Sequence, residues 1–288
     1  MKSLTEDGIT RSALSRIADC PNPRLKKVIR ALTRHLHEFA REVELTPEEW
    51  ITGIQFLTAV GHITDNKRQE FILLSDTLGL SAMVDLIANR DAEPGATESS
   101  LLGPFFRENA PIFPMDADIS NGTGGEKMVV RGRVLNAESE PVAGATIDTW
   151  QASSEGRYDL QQANSDEMNF RGRFRADENG RFRFRSVKPS SYPVPADGPV
   201  GKMLRELARH PYRPAHIHFM IAAPGYKTLT TALYIAGDRY LNSDVVFGSK
   251  KSLVVNYRHS AANGASADSL EFDFVLTSNT KKRQRKHR

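Results

Sequence analysis

At Lys127 the hydrophobic period of this chain changes, and that change limits what it can fold into. Upstream, "NPRLKKVIRALTRHLHEFAREV" sets Leu25, Val28, Ile29, Leu32, Leu36 and Phe39 at helical spacing. "TPEEWITGIQFLTAVGHIT" opens with Thr46, Pro47 and Glu49, a capping box with proline at the first helical position. "KRQEFILLSDTLGLSAMVDLIANR" is a third helical region, broken near Gly79. "DAEPGATESSLLGPFF" reads as a connection. Beyond Lys127 the period is two. "MVVRGRVL", "ATIDTWQA", "GRFRFRSV", "HIHFMIAA", "TTALYIAG", "SLVVNY" and "LEFDFVL" alternate or are β-branched and aromatic, with turn signals such as "DENG" and "APGY" between them. The pattern predicts an α+β chain with a helical N-terminal part over residues 1–105. An antiparallel β-sandwich follows over 106–280, and a basic tail over 281–288.

The 288 residues suffice for one large or two moderate domains with a sizeable core. No apolar run is long enough to span a bilayer, and "MKSLTEDGIT" has no apolar signal core, so no membrane span is expected. Cys20 is the single cysteine. It rules out an intramolecular disulfide and argues against cysteine-based zinc or iron–sulfur sites. A reducing, cytoplasmic compartment is the expectation. The formal charge is +4, yet six of the 39 bases lie in "KKRQRKHR" at the end; the other 33 face 35 acids. The body is therefore not a nucleic-acid-binding surface, and the tail is expected to be disordered and solvated.

Two His-x-His pairs occur, in "RPAHIHF" and "RHLHEF". In a strand, residues i and i+2 share a face, so His216 and His218 can meet one ion. In a helix they diverge by roughly 200°, so His35 and His37 cannot easily share one. A strand pair alone does not fix the metal. A zinc hydrolase or lyase needs a third histidine or a carboxylate, and His62, His210, His259 and His287 sit in no second motif. Tyrosines lie nearby instead: Tyr158 in "DTWQASSEGRYDL" and Tyr192 in "VKPSSYPVPADGP". Phenolate is a hard anionic donor. Two phenolates with two imidazoles would suit Fe(III), whose charge would ionise phenols of ordinary pKa about 10. On the residues alone, both tyrosines also fit as loop packing groups.

"PVAGATIDTWQASSEGRYD", "RGRFRADENGRFRFRSVKPSSYPVPADGP", "RPAHIHFMIAAPGY" and "LTTALYIAGDRYLNSD" together resemble the intradiol ring-cleavage dioxygenases, over most of the chain. These enzymes open catechols between the two hydroxyl-bearing carbons with non-haem Fe(III). The resemblance implies one Fe(III) per subunit, held by Tyr158, Tyr192, His216 and His218. It makes Arg213 the active-site cation and Tyr192 a displaceable ligand that takes up a substrate proton. The sandwich becomes the catalytic domain, and the helical part a dimerisation domain joining a homodimer, with phospholipid in that interface in several relatives.

"YPVPADGPVG" and "SDVVFGSK" look most like the hydroxyquinol (1,2,4-trihydroxybenzene) enzymes of the family. Where catechol enzymes have "LLSP", this chain has "LLSD", with Leu73 and Asp76. A carboxylate accepts a hydrogen bond from a third ring hydroxyl, whereas proline does not; the competing role for Asp76 is a helix cap. The resemblance further puts Leu101, Leu102, Gly103, Pro104, Phe105, Val194, Pro195 and Val246 beside the substrate. One position departs from it. Ala232 stands where catechol enzymes carry a glutamine that assists the active site. Catechol and chlorocatechols remain alternative substrates. From other classes, a zinc hydrolase or lyase and a non-catalytic transthyretin-like binding module also remain.

Overall fold

The first three helices of this chain start where the sequence offers a cap. The computed structural model describes residues 5–65, 68–161, 167–260 and 267–279. Helix α1 (Glu6–Arg16) begins at Thr5, whose hydroxyl accepts the Gly8 N–H. Helix α2 (Pro23–Glu42) begins at Asn22, whose side chain accepts the Leu25 N–H. Helix α3 (Pro47–Ile63) is opened by the expected capping box: Thr46 N–H donates to Glu49 at 3.0 Å and Glu49 N–H to the Thr46 hydroxyl at 3.2 Å. Helices α4 (Glu70–Thr77) and α5 (Leu80–Asn89) are the third region, split by Gly79 at φ +75°. The chain divides into two compact units, residues 1–59 and 60–288, so α4 and α5 belong to the second. Among the described residues no single helix is long and apolar enough to cross a membrane. The basic tail lies outside the described residues.

From β1 onward the regular elements of the second unit are mostly strands: β1 (Lys127–Leu135), β2 (Thr146–Gln151), β3 (Arg171–Arg175), β4 (Arg181–Val187) and β5 (Tyr192–Pro193). After helix α6 (Pro199–Glu206) come β6 (Tyr212–Arg213), β7 (His216–Ala222), β8 (Leu229–Ile235), β9 (Val254–Val255), β10 (Arg258–Ser260), β11 (Ala267–Glu271) and β12 (Phe274–Val275). One sheet runs β10-β11-β1-β12, with β4 also on β1; the other runs β3-β2-β7-β8-β9; β5 and β6 form a short ribbon. Most pairings are antiparallel, but β11 and β12 run parallel to β1 and β9 parallel to β8. "LEFDFVL" makes two strands rather than one. The Phe272 carbonyl crosses directly over Gly132, where any Cβ would overlap it, and the ladder breaks there.

The sandwich core lies between the sheets. Ile147 of β2, Ile217, Phe219 and Ile221 of β7, and Leu233 of β8 pack with Val130 and Val134 of β1 and with Phe182 and Phe184 of β4. Because the odd-numbered residues of β7 take the core, His216 and His218 point out of the opposite face of their sheet. That face carries the site.

Candidate active site

Both histidines of β7 are buried, and their Nε2 atoms stand 3.0 Å apart. The rings are nearly perpendicular, at 83°. His216 Nδ1 lies 2.7 Å from the Pro214 carbonyl, which can only accept, so Nδ1 carries the proton and Nε2 the free lone pair. His218 is stacked on Trp150 of the adjoining strand, with ring centroids 4.9 Å apart. Burial, and then the charge of Arg213, hold the His216 pKa well below the ordinary imidazole value. Burial and then His216 do the same for His218. Both are thus neutral near pH 7, the form that offers a lone pair. The α2 pair behaves otherwise: His35 meets Glu38, whereas His37 turns to Thr10.

Two phenols close on this pair from loops. Tyr192 of β5 is paired in register with Arg213 of β6, which sets its ring 5.6 Å from that of His216. Tyr158 follows β2, and its N–H is fixed by the Gln161 side chain. Phe105 stacks on the Tyr158 ring at 4.3 Å, and the Tyr192 ring meets Tyr158 edge-on at 5.3 Å. The Tyr158 hydroxyl is buried with no hydrogen-bond partner of normal geometry among the described residues. Burial first, and then Tyr192, push the Tyr158 phenol well above its usual pKa; burial also raises Tyr192, against a lowering by Arg213. A buried ion pair, Asp159 with Arg171, underpins the loop, and Arg171 also donates to the Phe105 carbonyl at 3.0 Å. Gly103, at φ +73°, packs directly against the His218 ring, where an added Cβ would lie 3.5 Å from Nε2.

Arg213 is the best-tethered side chain in the site. Its Nε donates to Asp244 Oδ1 at 3.2 Å, its Nη2 to Asp244 Oδ2 and the Tyr234 hydroxyl, and its Nη1 lies 3.1 Å from His216 Nε2. Asp244 in turn accepts the N–H groups of Val246, Gly248 and Ser249. Ser100 donates to the Gly248 carbonyl, so the Tyr234 hydroxyl is the donor in its 2.9 Å contact with Ser100. The Tyr234 pKa is pushed up to about 12, chiefly by burial. A Cβ on Gly248 would stand 2.8 Å from both Arg213 Nη2 and the Tyr234 hydroxyl, so the network needs glycine there. Ala232 pairs with His218 across β7 and β8 and brings no polar group; support for the arginine comes instead from Tyr234, two residues on.

A cavity of about 140 Å³ opens against Tyr192 and Arg213. Dry apolar cavities of about 150 Å³ accept benzene, so its size suits one aromatic ring. Leu73, Asp76, Leu101, Gly103, Pro104, Phe105, Val194, Pro195 and Val246 are among the residues that line it. Leu102 does not; it is 40% exposed. Tyr158, His216 and His218 lie outside the lining, fully buried. Asp76 is buried in the last turn of α4. It caps neither helix, since α5 starts from Gly79 without a side-chain cap. Burial raises the Asp76 pKa, against a Ser81 hydrogen bond and the charge of Arg213. Arg68, Gln69, Glu70, Leu160 and Gln161 also line the cavity, and sequence alone does not single them out, nor Asp244 or Tyr234. Asp244 does close the "LNSD" of a motif quoted above, which is the one signal that marked it.

A family model described as "Dioxygenase" matches residues 101–278, and one described as "Catechol dioxygenase N terminus" matches residues 22–96. The chain is 48% identical to a 6-chlorohydroxyquinol 1,2-dioxygenase of Cupriavidus pinatubonensis over 276 residues, 96% of this chain and 99% of that one. It is 48% identical to a hydroxyquinol 1,2-dioxygenase of a Rhizobium species, covering 90% of each. The crystal structure of a hydroxyquinol 1,2-dioxygenase from Pseudomonas putida DLL-E4 superposes with a TM-score of 0.88 at 44% identity, covering 95% of this chain and 98% of that one. With family matches on both its helical and its strand-rich parts, the chain belongs to the intradiol ring-cleavage dioxygenases.

Proposed function

We propose that the chain cleaves hydroxyquinol with dioxygen between its two adjacent hydroxyl-bearing carbons. The product is 3-hydroxy-cis,cis-muconate, which tautomerises to maleylacetate. Asp76 carries this reading: it is a buried carboxylate in the wall of a one-ring cavity, beside the apolar Leu73, Val194, Pro195 and Val246. Catechol adds no donor to the one that Ser81 gives this carboxylate, whereas a third ring hydroxyl supplies a further one. The names of the Cupriavidus and Rhizobium relatives, both hydroxyquinol enzymes, support it.

The family implies non-haem iron, and the donors here fit Fe(III). Two neutral imidazoles present Nε2 atoms 3.0 Å apart, the spacing of neighbouring ligands at metal–nitrogen distances of about 2.1 Å. The Tyr158 hydroxyl, set against the Tyr192 phenol with no hydrogen bond of normal geometry among the described residues, is a buried polar atom of the kind a metal would satisfy. Two phenols beside two imidazoles are a hard donor set. Among the described residues no three His, Cys, Asp or Glu side chains converge. Accordingly we assign Tyr158, Tyr192, His216 and His218 as the ligands. Bound Fe(III) would supply a Lewis-acidic, redox-active centre for the two adjacent ring hydroxyls and dioxygen. The protein does the rest. Arg213 holds the negative charge of the ionised ring, and Asp244 and Tyr234 keep its guanidinium aimed. As the phenolate that bound Fe(III) would favour, Tyr192 Oη would accept a ring proton. The apolar walls from Leu73, Val194, Pro195 and Val246 orient the ring and exclude water.

Metal analysis with a substrate panel read by ring-cleavage absorbance tests the reading. About one iron per subunit and highest kcat/KM for hydroxyquinol are expected; zinc in place of iron, or a preference for catechol, would refute it. Asp76→Ala should lower kcat/KM for hydroxyquinol roughly 10- to 100-fold, the worth of one hydrogen bond to a charged group, and leave catechol cleavage near its starting value. Equal losses on both substrates would show that Asp76 does not read the third hydroxyl. We further propose a homodimer through α2, whose residues Leu25, Leu32, Leu36 and Phe39 are exposed along one stripe. Native mass spectrometry reads both the dimer and any retained phospholipid.

A further inference from the structure

The loop that carries Tyr192, Val194 and Pro195 is tied down at both ends. Its near end is held by the β5–β6 pairing and by the Val194 N–H on the Pro211 carbonyl, 2.9 Å. Its far end runs through Asp197 and Gly198 into α6. That helix has Gly198 as its N-cap, with no side chain to satisfy its first N–H groups. Glu70, fully buried at the start of α4, supplies the acceptor from outside: its Oε1 takes the Val200 N–H at 3.1 Å. Its Oε2 takes Arg68 Nε at 3.0 Å, and Arg68 Nη1 reaches on to Asp197 at 2.9 Å. Asp197 is 74% exposed on its side chain, so Glu70 is the buried anchor of the three.

Space around the clasp is closed. A Cβ on Gly198 would stand 2.5 Å from Glu70 Oε1 and 2.6 Å from Arg68 Nη2. The Ala196 backbone lies directly on Gly201, again with no room for a Cβ. Arg205 of α6 donates to the Ala196 carbonyl at 2.7 Å. A shift of the α6 N-terminus therefore passes to Ala196, and from there to Pro195 and Val194 in the cavity wall.

We propose that Glu70, with Arg68, is a positioning residue that sets the cavity wall formed by the Tyr192 loop, by capping α6 from α4 and clamping Asp197. The inference rests on the reading that this cavity binds the ring substrate. Glu70 and Arg68 also line the cavity, whereas Gly198 does not, so Gly198→Ala separates action through the loop from direct contact with the ring.

The test compares Glu70→Ala, Glu70→Gln and Gly198→Ala. Gly198 has φ −97°, which alanine adopts freely, so that variant perturbs only the clasp contact. Each variant should raise KM for hydroxyquinol about tenfold, with kcat changed less than threefold, because the wall is moved and the reacting groups are kept. Hydrogen exchange at the Val200 and Val194 amides should quicken together in Glu70→Ala. The Glu70→Ala/Gly198→Ala double variant should be no worse than Glu70→Ala, since the new methyl fills the vacated space. Glu70→Gln, which keeps the volume, serves if Glu70→Ala does not fold. A lower melting temperature with unchanged KM, a quickened Val200 beside an unchanged Val194, or additive KM effects would overturn the proposal. The exchange measurement needs neither metal nor turnover. A wild type inactive on every ring diol would refute the functional reading and still leave the clasp to be judged.

Discussion

Replacing Tyr158 by phenylalanine should cost the protein its iron and its ring-cleavage activity while leaving the metal-free fold as stable as before, or more so. The two halves of this expectation come from one observation. The Tyr158 hydroxyl is buried against the Tyr192 phenol and has no hydrogen bond of normal geometry among the described residues, so the fold gains little from it. A buried, unsatisfied polar group is a cost, and deleting it is neutral or stabilising. The ring is what the fold uses: it stacks on Phe105 at 4.3 Å, and phenylalanine keeps that contact. The oxygen is then best accounted for by a ligand. Its loss should weaken metal binding more than the 10- to 100-fold typical of residues that merely support ligands, and lower kcat/KM by at least about 100-fold. Iron content, the phenolate-to-iron absorption band and the melting temperature of the metal-free protein together read the result. Full iron and full activity in Tyr158→Phe would remove Tyr158 from the ligand set. A large fall in metal-free stability would mean the hydroxyl has a structural partner after all.

What the sequence reveals of this site, and what it hides, follows from the range of the forces involved. His216 and His218 are legible because a strand's period of two is local, and Ile217 and Phe219 mark which side is the core. The capping box at Thr46 and Glu49 and the break at Gly79 are legible for the same reason: each is decided within four residues. Tyr158 and Tyr192 have no local signature, and only the resemblance assigns them. Asp244, 31 residues from Arg213, and Glu70, 130 residues from Val200, are harder still. In the sequence each is an ordinary acid that solvent would welcome, and only tertiary packing buries it beside its partner. Tyr234 reads as a packing residue from its strand, which it is; its hydroxyl acquires a function because Ser100 and Arg213 arrive from elsewhere. Leu102 shows the opposite failure: adjacency to Leu101 and Gly103 in a site motif does not turn its own side chain inward.

Asp244 is where stability and turnover should fall together. Arg213 is buried and charged; burial works against that charge, and Asp244 is the leading group that sustains it. In Asp244→Asn one carboxylate oxygen becomes an amide nitrogen. Oδ1 now accepts Arg213 Nε and the Val246 N–H, while Oδ2 accepts Arg213 Nη2 and the N–H groups of Gly248 and Ser249. Whichever oxygen is lost, a donor faces donors, and the arginine keeps its charge without its counter-charge. Breaking a buried pair from one side costs about 3–5 kcal/mol. The guanidinium, freed from its clamp, should also lose its aim at the ring, and a misplacement of about 1 Å is worth roughly 100-fold in rate. Tyr234→Phe is the graded control. It removes a neutral acceptor from the charged Arg213 and a donor from Ser100, a loss of about 1.5–3 kcal/mol, and leaves the ion pair intact. The expected order is therefore a deep fall in both melting temperature and kcat/KM for Asp244→Asn, and a shallow fall in each for Tyr234→Phe. If Asp244→Asn melts and turns over like the wild type, the pair is not what holds Arg213. If it loses stability but not rate, the arginine's aim is set by Tyr234 and the backbone rather than by Asp244, and the reversed order of the two variants in kcat/KM would show it.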